Sequence, residues 1–209
     1  MNLNHSLRFC LFILLLAVFP AQADDFDSVL TDDRNVFLQG VDGDKRAVRN
    51  AVNRFRSLSR SNPRDPVYLA YYGASITLQG RDATKGFEKK GFTEDGLEKI
   101  DRALKLLSEV KHYPSVRHLD TLLVAANSFV YIPSFFNRYD KGKDLLQEIL
   151  THDDFNGMVA GFKAAAYSTA AFVARTDGDE AEYRRLLALI VETDPQGRDG
   201  RAASALLKE

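Results

Sequence analysis

Ala51-Val52-Asn53-Arg54-Phe55-Arg56-Ser57-Leu58-Ser59-Arg60-Ser61-Asn62-Pro63 carries the spacing on which the fold depends. A small residue is followed by an aromatic one turn on, an apolar residue a turn after that, and a proline five positions beyond. The small residue lets a neighbouring helix approach closely, and the aromatic and apolar residues share its face. Proline then stops the helix, because it lacks an N–H and restrains the residue before it. Extended back to Val48, the set Val48, Ala51, Val52, Phe55 and Leu58 makes a single apolar stripe at spacings of three and four. Arg46, Arg49, Arg54, Arg56 and Arg60 occupy the other faces. They read either as a basic patch or, the commoner arrangement, as a solvated face balanced by nearby acids.

Outward from this helix the same punctuation returns. Asp24 to Gln39 predicts a first helix, interrupted at the polar run Thr31 to Asn35, and Gly40-Val41-Asp42-Gly43-Asp44 predicts a turn with Asp44 as helix cap. Asp65-Pro66 opens the next helix with a cap and a first-turn proline. Tyr68, Tyr71, Tyr72, Gly73, Ile76 and Leu78 follow, and Gln79 to Phe92 reads as a long polar connection. A stripe from Leu97 to Val110 predicts another helix, and Pro114 starts the one that ends at Ile132-Pro133. Arg138 to Thr151 is helical by pattern. The alanine-rich stretch around Ala164 to Ala174 predicts close helix contacts on more than one side. Thr176-Asp177-Gly178-Asp179 repeats the earlier Asp-Gly-Asp turn. Tyr183 to Val191 follows, closed by Asp194-Pro195, and Arg201 to Lys208 reads as a terminal cap.

The Ala-x3-Phe spacing closed by proline resembles the second helix of a tetratricopeptide repeat, and Tyr72-Gly73 resembles the place in its first helix where a large residue precedes glycine. Three weaker copies of the second helix are anchored on Gly96, Gly142 and Tyr183, at separations of 45, 46 and 41 residues from one anchor to the next. Tetratricopeptide repeats run at about 34 residues and HEAT-type repeats at about 40–47. With the excess assigned to connections such as Gln79 to Phe92, the resemblance implies an all-α, right-handed stack of helix hairpins with lengthened intra-hairpin loops, covering roughly Asp25 to Pro195. It also implies a concave groove, lined by first helices, that holds a peptide or protein. Carried over by position, the groove candidates are Tyr71, Thr77, Asp120, Asn127, Tyr131, Ser168 and Arg175. The connection after Pro133 adds Phe135, Phe136 and Arg138, read either as a loop plugged into the core or as a binding edge. A rival of another class is a small-molecule carrier aiding a transport system, with a pocket formed by Tyr68, Tyr72, Phe135 and Phe136.

His5 and Arg8 precede an apolar run from Phe9 to Phe19, and Pro20-Ala21-Gln22-Ala23 supplies a small-x-small cleavage pattern. Met1 to Ala23 therefore reads as a secretory signal peptide, with residues 24–209 as one domain sent to the periplasm or secreted. The run is shorter than the ~20 apolar residues of a membrane span, so no insertion is expected after cleavage. Cys10, the only cysteine, falls inside it, leaving the processed chain with no disulfide or thiolate chemistry. Loss of Arg8 reduces the 28 basic residues to 27 against 29 acidic ones, which gives no footprint for nucleic acid. Nothing assembles a catalytic motif or cofactor site. Gly73-Ala74-Ser75 has Thr77 where a nucleophile elbow needs glycine. Gly142-Lys143 lacks the remainder of a phosphate loop. His152-Asp153-Asp154 has the wrong spacing for zinc and reads as a helix-end turn. The expectation is a non-enzymatic scaffold or adaptor for a protein or peptide of the cell envelope.

Overall fold

The computed structural model describes residues 23–208. The described residues form nine α-helices and no strand: α1 (Ala23–Val41), α2 (Lys45–Ser61), α3 (Pro66–Asp82), α4 (Gly86–Glu109), α5 (Ser115–Tyr131), α6 (Tyr139–Thr151), α7 (Ala160–Asp177), α8 (Glu180–Thr193) and α9 (Arg198–Leu206). Short 3-10 turns at Ser134–Phe136 and Asp153–Gly157 flank α6. Each even helix packs on the odd helix before it, so α1–α2, α3–α4, α5–α6 and α7–α8 are hairpins. Odd helices also touch the next odd helix, α1 to α3 and onward to α9. The chain is an all-α stack of helix hairpins in two layers. Residues 1–22 of the expected signal peptide lie outside the described residues.

Local chemistry sets the boundaries. The Asp44 carboxylate accepts from the amides of Arg46 and Ala47 and so starts α2. Asp65 accepts from the Val67 amide while Pro66 occupies the first turn of α3, and Asp179 caps α8 through Glu182 N. Gly178, at φ 82°, adopts the left-handed conformation that closes α7, and its amide returns to Ala174 O and Arg175 O. The opening stretch does what its spacing predicts. Ala51 and Phe55 are fully buried, and the Phe55 ring stacks on Tyr71 at 4.7 Å with Phe37 edge-on to both.

Small residues mark the helix crossings. A Cβ placed on Gly73 would lie 2.6 Å from the Gly96 carbonyl oxygen, and one on Gly96 would lie 2.6 Å from the Gly73 carbonyl oxygen. The α3 and α4 backbones thus meet glycine on glycine. One turn-pair further on, Gly80 sits against Lys89 O and Thr93. Gly142 of α6 receives Phe129 and Val130 of α5 in the same way. The buried apolar residues form one group over α1–α5 and another over α4–α9, and Leu104 and Leu145 pack against both.

Three expectations are corrected. The lengthened loop at Gln79 to Phe92 is mostly helix: α3 continues to Asp82, only residues 83–85 connect, and α4 begins at Gly86. Gly80 is there to admit α4, while Gly86 and Gly91 stand in open space on a charged first stretch braced by Lys85–Glu88 and Lys90–Glu94. The extra length of the repeat is in helix α4. The break expected at Thr31 to Asn35 is absent, because Asp33 and Arg34 point at Arg54, Tyr71 and Asp120 on neighbouring helices. The terminal helix begins at Arg198, three residues earlier than expected.

Candidate binding surface

Two of the seven groove candidates belong to a buried network. Arg34 of α1 donates through Nη2 to Asp120 Oδ2 at 2.6 Å and through Nε to the Tyr71 hydroxyl at 2.8 Å. Tyr71 in turn donates to Asp120 Oδ1 at 3.0 Å. Tyr71 and Asp120 are buried at 3% and 5% exposure, so they tie α1, α3 and α5 together and offer nothing to a ligand. Burial, then the Asp120 charge, pushes the Tyr71 phenol well above its usual range. Burial works against the Arg34 charge, yet Tyr71 and Asp120 hold the guanidinium above its ordinary value. Thr77 is also displaced from the expected groove. It packs on Gly96 of α4 and returns its hydroxyl to Ala74 O.

The remaining candidates lie along α5 and α7. Asn127 Oδ1 accepts from the Thr169 hydroxyl at 2.6 Å, which fixes its side chain between these helices. Tyr131, at the end of α5, is 54% exposed and lays its ring on Phe172 at 4.1 Å between centroids. Desolvation, with the Asp199 charge added and Arg198 opposing, pushes its phenol up to about 12. Asp199, in the first turn of α9, is half-buried and raised above the usual carboxylate range, chiefly by burial. Asp194 and Asp42 add to that shift, while Arg198 and a hydrogen bond from Ser168 oppose it. Arg175 is exposed, with its guanidinium 5.6 Å from the Tyr183 ring.

Arg198 reaches beyond this cluster. It donates through Nε and Nη2 to Asp42 Oδ1, at 2.9 and 2.6 Å, in the turn between α1 and α2. In a straight stack, α1 and α9 would be separated by four steps of about 9 Å, or about 36 Å, far more than an arginine spans. The stack therefore bends, with the odd helices on the inside. Tyr131, Phe172, Ser168 and Asp199 gather on that inner face. The sequence does not reveal the roles of Arg198, Asp199, Phe172 and Asp42, since the terminal helical pattern begins only at Arg201 and a contact 156 residues apart leaves no local pattern.

The loop edge divides. Phe135 is exposed at 65% and touches Phe136, whose ring packs against the buried group of α1–α5. Arg138 is held by Asp101 at 2.6 Å and lies over the Phe129 ring, so the edge has one exposed aromatic rather than three binding groups. Of the four residues of the small-molecule pocket, Phe135 and Phe136 touch each other, and Tyr68, Tyr72 and Phe136 belong to the apolar group of α1–α5. Tyr68 is buried beneath the Arg117 guanidinium, and Tyr72 lies between Arg56 and Lys99. A depression of about 330 Å³ lies elsewhere, at Asn62, Pro63, Arg64, Asp65 and Tyr113, and is open to solvent. Among the described residues no three His, Cys, Asp or Glu side chains come together as a metal site, and no helix is long and apolar enough to cross a membrane. His152 accepts from the Asp154 amide and caps the turn after α6.

The chain matches no family model, no curated protein and no solved structure, so its assignment rests on its own residues and packing.

Proposed function

We propose that this chain is a non-enzymatic, tetratricopeptide-like scaffold or adaptor, exported by its leader to the periplasm or beyond, whose inner face holds a protein or peptide partner of the envelope. The observation that carries this reading is the setting of Tyr131. Its ring is rigidly backed by Phe172, more than half exposed, and flanked by Ser168, Asp199 and Arg198 on the inside of the bend. A braced aromatic with polar groups at its rim gives contact area at little entropic cost. Arg175 is exposed on α7 three positions after Phe172 and so shares its side of the helix. The Tyr71–Asp120–Arg34 network keeps three inner helices in fixed register beneath it.

A displayed library of random peptides panned on the protein tests this. Sequences should enrich on the wild type and lose binding on the double variant Tyr131→Ala, Arg175→Ala, whose exposed sites leave the buried packing intact. Failure to enrich any sequence, or equal capture by the variant, overturns the reading.

A further inference from the structure

Among the described residues, α2 is the one helix whose charges all carry the same sign. Lys45, Arg46, Arg49, Arg54, Arg56 and Arg60 lie on it, Arg64 follows in the turn, and no acidic residue occurs between Asp44 and Asp65. The expectation that nearby acids balance these arginines is met only in part: the Asp44 charge attracts Arg46 and Arg49 without bonding to their side chains. Asp33 takes Arg54 at 2.6 Å, and Arg56 is spent on the Tyr72 hydroxyl at 3.0 Å. Asp44 is turned to the α2 amides, Asp65 to Arg117 and Tyr113, and Asp42 to Arg198. Lys45, Arg46, Arg49, Arg60 and Arg64 remain exposed, with no hydrogen-bonded or ion-paired acid among the described residues.

These cations are ordered. Arg46, Arg49, Asn53, Ser57 and Arg60 succeed one another at spacings of three and four, a single exposed row about 21 Å long at 1.5 Å per residue, and Arg64 is exposed in the turn that follows. The start of the row works against its own helix, whereas Arg60 in the last turn suits the negative end of the dipole. Lys45 and Arg46 stand at the positive end of the helix dipole, where acids are favoured, and Lys45–Arg49 and Arg56–Arg60 are like-charged pairs four apart. Packing does not call for it, since Ala47, Val48, Ala51, Val52 and Phe55 bury the opposite face. An external anion explains a self-repelling row that the core does not require.

We propose that this outer face of α2 binds an acidic segment of a protein partner, with aspartates or glutamates lying along the row and each guanidinium donating two hydrogen bonds to a carboxylate. A lipid surface fits less well. The row exposes no aromatic or aliphatic side chain to enter a bilayer interface. Moreover α4, which flanks α3 on its other side, exposes both signs, Glu94, Asp95 and Glu98 beside Lys89, Lys90, Arg102 and Lys105, so the unmixed basic strip is one helix wide. A narrow strip matches a single acidic chain better than a plane. Arginine rather than lysine at four of the five unpaired positions suits paired recognition of carboxylates.

The test measures fluorescence anisotropy of a labelled deca-glutamate peptide with the purified protein, whose overall charge is slightly negative and gives no reason to bind it. Wild type should bind, with affinity falling as salt rises. The variant R46E/R49E/R60E/R64E should lose binding. The variant R46K/R49K/R60K/R64K, equal in charge, should bind more weakly, because an ammonium offers a carboxylate no planar fork for two parallel hydrogen bonds. No peptide binding, equal binding by the reversed variant, or full binding by the lysine variant overturns the proposal. Sedimentation with phosphatidylglycerol vesicles that the reversed variant abolishes, without peptide binding, would assign the face to a membrane and overturn it too.

Discussion

Replacing Asp120 by alanine strips the Arg34 guanidinium of its carboxylate while the Arg34 side chain stays only 32% exposed. Losing one member of a buried pair costs more than the pair contributes, and with Arg34 partly hydrated the expected loss is about 2–3 kcal/mol in urea unfolding. Tyr71→Phe removes one hydroxyl from the same network and should cost about 1–2 kcal/mol. The two losses should add to more than the double variant shows, because both act on Arg34. Asp199 gives a pH-dependent prediction. Its folded carboxyl holds a proton more tightly than the unfolded one, whose ordinary value is 3.8. Its contribution therefore favours folding below that value and is withdrawn as pH rises through the folded one. Asp199→Asn is expected to melt above the wild type at pH 7, with the margin closing toward pH 4, and scanning fluorimetry across that range checks it. At this scale the sequence shows residue type but not direction. Repeat position assigns Tyr71 and Asp120 to the groove, yet one helical position rotates a side chain by about 100°, and their partner Arg34 is 86 residues from Asp120.

Among the helices, glycine separates three situations that look alike in sequence. Gly73 faces backbone, and Gly73→Ala should force α3 and α4 apart at a cost of about 1–3 kcal/mol. Gly91, in open space within α4, should behave oppositely, with Gly91→Ala stabilising by about 0.5–1 kcal/mol. A pair of denaturation curves decides both. Gly178, with φ 82°, is a true terminator. Helix identity and the anchors Ala51, Gly96 and Gly142 were legible, because burial on one face imposes a period and a crossing imposes smallness. The α3–α4 connection was not, because a glycine that admits a neighbouring helix and a glycine that ends one leave the same letter. The exposed stretch from Gly86 to Phe92 has few apolar positions to declare its period.

For the whole molecule, the hairpin order follows from short connections, but the bend does not, since it shows itself through Arg198 and Asp42 at opposite ends of the chain. Both partners are about half exposed, so the pair contributes at most about 1 kcal/mol. Arg198→Ala should leave the melting temperature nearly unchanged while small-angle scattering reports a larger radius of gyration. An unchanged radius would mean that hairpin packing alone sets the curvature. The contact has a consequence for unfolding as well. In an open array each hairpin answers only to its neighbours, so either end can fray independently and the remainder persists. Here the first turn leans on the last helix, and loosening one end withdraws support from the other. Amide exchange in α1 and α9 should then be coupled by no more than the roughly 1 kcal/mol that the pair contributes, and Arg198→Ala should let each end exchange independently.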